Sequence, residues 1–204
     1  MELILVAKNN DIEEVIKLLN KKEVDINFQN NNGNTALILA DWKDYDKVVD
    51  LLIKAGCKLD IQNKYGTTAL IRAAIYNSVK VVDLLIKVGA KLDIQNKDGN
   101  TALIGAAYSG YDKVVDLLIK ARCKLDIQAK DGWTALIEAA CWNKVKVVDL
   151  LIKANAKTYL KNNEEKSVID YLDTNSETYK LIKYKERCKL TRNRRAYLDM
   201  VVYT

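Results

Sequence analysis

The chain's strongest candidates for reactive or metal-binding chemistry are four cysteines, Cys57, Cys123, Cys141 and Cys188, because its 204 residues include no histidine. None of the four stands in a C-x-x-C pair, so a tetrahedral zinc site finds no ligand set at the usual spacing. Cys57 and Cys123 fill the slot that Ala90 and Ala156 fill 33 residues further along, which predicts small packing residues rather than reagents. Unpaired thiols point to a reducing compartment. Without histidine the commonest general base is missing, and no nucleophile elbow, Walker loop or dinucleotide fingerprint occurs. Most Asp and Glu residues recur at a fixed interval, which assigns them to a scaffold. The residues therefore predict no enzyme, no catalytic residue, no cofactor and no metal.

That interval is set by the word Thr-Ala-Leu-Ile, which begins at Thr35, Thr68, Thr101 and Thr134, each 33 residues after the last. Gly33, Gly66, Gly99 and Gly132 precede it by two residues, and Val-Val-Asp-Leu-Leu-Ile-Lys follows from Val48, Val81, Val114 and Val147. In the first copy Val48, Leu51, Leu52 and Ala55 share one helical face, while Lys47, Asp50 and Lys54 lie on the other. Asp precedes Lys by four residues in every copy (Asp50 and Lys54, Asp83 and Lys87, Asp116 and Lys120, Asp149 and Lys153), a pairing that adds roughly 0.2–0.5 kcal/mol on a solvated face. The stretch after each Thr reads as a shorter first helix with Thr as its N-cap. Gly56, Gly89 and Asn155 suit the left-handed residue that ends the second helix, whereas Arg122 suits it poorly. The polar segment between pairs, such as residues 57–66, reads as a projecting hairpin with Gly at its turn. A unit this short cannot bury its apolar face alone, so the copies must stack.

A 33-residue unit of turn and two helices carrying D-G-x-T-A-L-I-x-A-A and then V-V-x-L-L-I-K-x-G resembles the ankyrin repeat, over about residues 3 to 187. The resemblance implies an all-α solenoid of stacked helix-turn-helix units with projecting hairpins. Its domain spans residues 1–187, with a partial N-terminal cap at 2–29, full repeats near 30–62, 63–95, 96–128 and 129–161, and a degenerate C-terminal cap at 162–187. Residues 188–204 form a basic extension. The family's usual Thr-Pro-Leu-His is Thr-Ala-Leu-Ile here, so Ile38, Ile71, Ile104 and Ile137 are expected to replace a polar network by apolar stacking. In the closing unit Ser167 stands for the repeat's Thr and Glu165 for the hairpin Gly.

The resemblance further implies a non-catalytic scaffold that binds another protein in a concave groove of hairpin tips and first helices, where the copies differ. The candidate contacts at such positions are Trp42, Lys43, Tyr65, Arg72, Tyr76, Tyr108, Trp133, Glu138 and Trp142. Large aromatics at non-repeating sites are the type that anchors interfaces. Trp42, Tyr76, Tyr108 and Trp142 could alternatively fill gaps between neighbouring first helices. Trp133, at a hairpin beside Gly132, has the least core to enter. Tyr45 and Tyr111 are assigned to structure.

Charge supplies the alternative function. Residues 178–204 hold eight Lys and Arg against two acids, which accounts for the whole net charge of +6 and leaves a neutral array. Such a patch could meet nucleic acid or an acidic surface, although no nucleic-acid fingerprint accompanies it; its plainer reading is a solvated cap and tail. The last residues, Leu198 to Thr204, are too apolar for a free tail. No run of 18 apolar residues occurs and Met1 to Lys8 lack a basic leader, so the expectation is a monomeric cytoplasmic protein off the membrane. Its Asn-, Lys- and Ile-rich composition without Pro looks AT-rich in origin, and by analogy alone ankyrin-like chains in such settings are often secreted effectors of intracellular bacteria, delivered into a host cell, or host-range proteins of large viruses.

Overall fold

The computed structural model describes residues 2–21, 23–40 and 45–184, which form helices, turns and no strand. Helices come in pairs: α1 (Glu2–Lys8) with α2 (Ile12–Leu19), α3 (Ala36–Leu39) with α4 (Asp46–Lys54), α5 (Ala69–Ile75) with α6 (Val79–Lys87), α7 (Ala102–Ser109) with α8 (Asp112–Lys120), and α9 (Ala135–Cys141) with α10 (Val145–Lys153). A 3-10 turn at Val168–Tyr171 and a helical stretch over residues 177–184 follow. First helices pack on first helices and second on second, giving two layers with one continuous core between them.

Each first helix starts where the Thr hydroxyl takes an otherwise orphaned backbone N–H. Thr35, Thr68 and Thr134 Oγ1 each accept from the Ile three residues on at 3.2 Å, and Thr101 does so from Ile104 at 3.3 Å. Those four isoleucines are buried, as the apolar stacking reading expects. Second helices bury Val48, Val49 and Leu52 and their equivalents. On their outer sides Lys54, Lys87 and Lys120 each meet the preceding Asp at 2.6 Å. The fourth expected pair is diverted, because the 177–184 helix lies against α10 and Asp149 accepts from Thr178 Oγ1 at 3.0 Å.

Gly56 and Gly89 close their helices with positive φ, as does Asn155, and Arg122 adopts the same conformation at φ 64°. The next residue donates back into the helix, Cys57 N to Leu52 O and Cys123 N to Leu118 O, both at 3.2 Å. This places Cys57 and Cys123 in the core as small residues. Burial pushes the Cys57 thiol up to about 11 and that of Cys123 up to about 12.

The inter-pair segments are hairpins without strand pairing. In one, Asn63 N donates to Thr67 O at 3.1 Å and Gly66 N to Asn63 O at 2.9 Å. Successive hairpins are then stitched together: Lys64, Lys97, Lys130 and Asn163 N donate to the carbonyls of Asn32, Tyr65, Asp98 and Asp131 at 2.9–3.0 Å. Gly66 must be Gly for two reasons, since its φ is +76° and a Cβ would lie 2.8 Å from Lys97 N. A second seam runs alongside. Gln62 Nε2 donates to Gly66 O in its own hairpin at 2.7 Å and to Gln95 O of the next at 3.0 Å, and Gln29, Gln95 and Gln128 do the same.

The array closes differently. Asp170 accepts from Ser167 N at 2.8 Å and from its Oγ at 3.0 Å, and these bonds, the backbone one first, hold its carboxyl below the ordinary carboxylate range. Val168 and Ile182 complete the core.

Candidate functional site

The residues that vary between copies cluster on the outward side of the first helices and on the hairpin tips, because the Ala and Leu positions of those helices are consumed by packing. Tyr65, Tyr76, Tyr108 and Trp142 remain 65%, 45%, 50% and 51% exposed there. Tyr65 stands at a hairpin tip, its backbone fixed by Asn63 Oδ1 at 2.9 Å. Tyr76 caps α5, and the half-buried Arg72 guanidinium lies 4.9 Å from its ring centre.

Across the next two repeats, three of the expected residues meet. The rings of Tyr108 on α7 and Trp142 at the end of α9 stand edge to face, 5.2 Å apart at 75°. The Trp142 indole N–H donates to Glu138 Oε2 at 3.1 Å. Burial raises the Glu138 carboxyl above its usual range, the indole bond opposes the rise, and the charge of Asp131 adds to it. Cys141 beside it is exposed, yet partial desolvation and then Glu138 raise its thiol too, so it gains no thiolate character.

Trp133 does find packing. Its half-buried ring lies 5.5 Å from that of Tyr171 in the closing turn, and Asn162 Nδ2 donates to the Tyr171 hydroxyl at 3.0 Å. The expectation that this hairpin Trp had little core to enter overlooked the degenerate last unit, which supplies Tyr171 at a place where full repeats have none. Trp42, Lys43, Cys188 and the 188–204 extension, with the nucleic-acid reading that depends on it, lie outside the described residues.

Two features escaped the sequence reading. Ile75 leans across the next repeat at Gly105, where a Cβ would lie 2.7 Å from Ile75 Cγ1, so the bare glycine admits it. At the N-terminal end an open depression of about 610 Å³ is bounded by Ile4, Leu5, Phe28 and Leu39 and by Asn30 to Asn32. The exposed Leu5 and the chain's single Phe were hidden by assigning residues 2–29 to a capping role. Among the described residues no cluster of three or more His, Cys, Asp or Glu could hold a metal ion, and no helix is long and apolar enough to cross a membrane.

A family model described as three copies of ankyrin repeats matches residues 3–96 and 88–162. Among solved structures, the ankyrin repeat protein EF0377 superposes with a TM-score of 0.78 at 26% identity, over 87% of this chain and 92% of that one. An ankyrin repeat domain from Acinetobacter baumannii AYE, ABAYE2397, does so with a TM-score of 0.78 at 28% identity, over 88% of this chain and 92% of that one. No curated protein matches the sequence. Ankyrin repeats are generally protein–protein interaction modules, typically without catalysis of their own. With the 33-residue step, the threonine caps and the stitched hairpins all in place, the chain belongs to the ankyrin repeat family.

Proposed function

We propose that this chain is a non-catalytic scaffold that holds a partner protein in the groove between its hairpin tips and first helices. The observation that carries the reading is that Tyr65, Tyr76, Tyr108 and Trp142 keep half their surface in water on one face, at positions the fold leaves free to vary. A stacked array needs no aromatic there, since other copies place Lys43, Ser109 and Cys141 in the same slots. Arg72 and Glu138 add opposite charges at one register position, and Trp42 and Lys43 extend the contact set toward the N-terminus by their sequence position. Occupying a partner's surface in this way blocks it or tethers it to a third component, which is how an inhibitor, an adaptor or an effector works.

The test is titration calorimetry on a partner captured by the wild-type chain. An indole buries on the order of 150–250 Å². Roughly half of Trp142 is still in water, so covering it removes about 100 Å² and contributes about 2.5 kcal/mol at ~25 cal/mol per Å². Trp142→Ala is expected to weaken binding by about 2 kcal/mol or more, in the hot-spot range. Lys120→Ala, on the outer side of a second helix, leaves affinity unchanged. Equal affinity for wild type and for the Tyr65, Tyr76 and Trp142 alanine variants would remove the groove from the function.

A further inference from the structure

We infer that the corner formed by Tyr108, Glu138 and Trp142 receives a cationic side chain, a lysine or an arginine, of the protein held in the groove. The inference rests on the groove reading above and names the partner's chemistry at one point of it.

The carboxylate is the first reason. Elsewhere in the array Asp50, Asp83 and Asp116 on the second helices are each paired with a lysine of their own helix. Glu138 is half-buried, and no lysine or arginine among the described residues forms an ion pair with it. Among the described residues its carboxylate takes one hydrogen bond, from the Trp142 indole on Oε2, so most of its acceptor capacity is open there. The scaffold does not require an acid here, because Leu39, Arg72 and Gly105 hold the same position in the other copies. A desolvated carboxylate without a cation is costly, and a cation supplied from outside the chain offsets that cost.

The rings are the second. Tyr108 and Trp142 stand nearly perpendicular with half their surface exposed, and Trp142 is bonded to the carboxylate, so exposed ring surface lies beside it. Aromatic faces carry negative potential and attract ammonium and guanidinium groups. The third is the surrounding charge. Asp131 on the hairpin adds negative field at Glu138, while Lys166, whose charge acts on Cys141, is engaged by Glu164 at 2.9 Å. An acidic partner residue would be repelled. A neutral one would bury the carboxylate further without pairing it.

The experiment follows the indole N–H resonance of Trp142 in the isotopically labelled full chain while N-acetyl-arginine amide is added, with N-acetyl-citrulline amide as the uncharged probe of the same shape. The arginine probe is expected to shift the Trp142 indole and Tyr108 signals and to saturate in the millimolar range, as one side chain on its own should. Citrulline is expected to bind about tenfold more weakly, and Glu138→Gln to abolish the difference. Equal responses to the two probes, no response at Trp142, or an arginine response that survives Glu138→Gln would each overturn the inference. So would a Trp142 indole signal that moves without any probe in the Arg192→Gln, Arg194→Gln, Arg195→Gln variant, because it would assign the corner to the chain's own tail. The groove reading is judged separately, by partner affinity in the Tyr65 and Tyr76 variants.

Discussion

Exchanging the residues that end α6 and α8 isolates the energy of one backbone torsion. Gly89 and Arg122 occupy equivalent places, at φ 88° and 64°, and donate to equivalent carbonyls one repeat apart, Gly89 N to Ile86 O at 3.1 Å and Arg122 N to Ile119 O at 2.9 Å. A Cβ at Gly89 would meet nothing within 4 Å, so Gly89→Arg feels the torsion and no clash. Arg122 is exposed, so trimming it to glycine uncovers no core. The left-handed region costs an L-residue about 1–2 kcal/mol. Glycine returns roughly 0.5–1 kcal/mol of that through its larger entropy in the unfolded chain. Arg122→Gly is therefore expected to stabilise the array by about 0.5–1 kcal/mol and Gly89→Arg to destabilise it by a similar amount. For a chain of this size each kcal/mol moves Tm by roughly 2–4 °C. Urea and thermal unfolding of the two single variants and the exchange double variant measure it. The double variant should return to the wild-type value, because the sites lie in different repeats. An Arg122→Gly chain no more stable than wild type, or a Gly89→Arg chain unharmed, would refute the assignment of strain to this torsion.

Trp133→Ala should lower stability by about 2 kcal/mol and strip hydrogen-exchange protection from residues 162–184 before it reaches α5 to α8, since terminal units in such arrays open first; unchanged protection there would return Trp133 to the list of free contacts. The Glu138 carboxyl is raised by burial, so folding favours its protonated form and its contribution is present at acid pH and lost as pH rises through its folded value. Glu138→Gln is accordingly expected to be more stable than wild type at pH 7 and to lose that margin below the ordinary carboxylate range, as paired unfolding curves would show. With thiols at about 11 and about 12, Cys57 and Cys123 should resist a disulfide reagent at pH 8 until the chain unfolds, whereas exposed Cys141 reacts in the native state. Site-resolved mass spectrometry distinguishes them.

The helices were legible because periodicity and capping act within a few residues: Thr101 caps α7 whatever its neighbours do, and the Val114, Val115, Leu118 stripe needs only a second helix to cover it. Much of the candidate surface was legible for the complementary reason, that Tyr76, Tyr108 and Trp142 break the repeat. Contacts between copies were harder to see. Gln62 recurs at 33 residues like any core position, yet nothing in a polar segment announces that its amide spans two hairpins. The meeting of Trp133 with Tyr171 depends on a unit that departs from the pattern, so the pattern itself hid it. The diversion of Asp149 to Thr178 has the same origin.

The glutamine seam also bears on how such a chain can change length. Gln29, Gln62, Gln95 and Gln128 each reach one carbonyl at home and one next door, and the next-door carbonyl belongs to Gln62, Gln95, Gln128 and Lys161 in turn. Every internal joint thus offers an interchangeable socket, which reads the backbone and ignores the side chain beyond it. Splicing in or cutting out 33 residues at a time leaves each socket filled, so tandem duplication of the coding segment lengthens the grip without inventing a new joint.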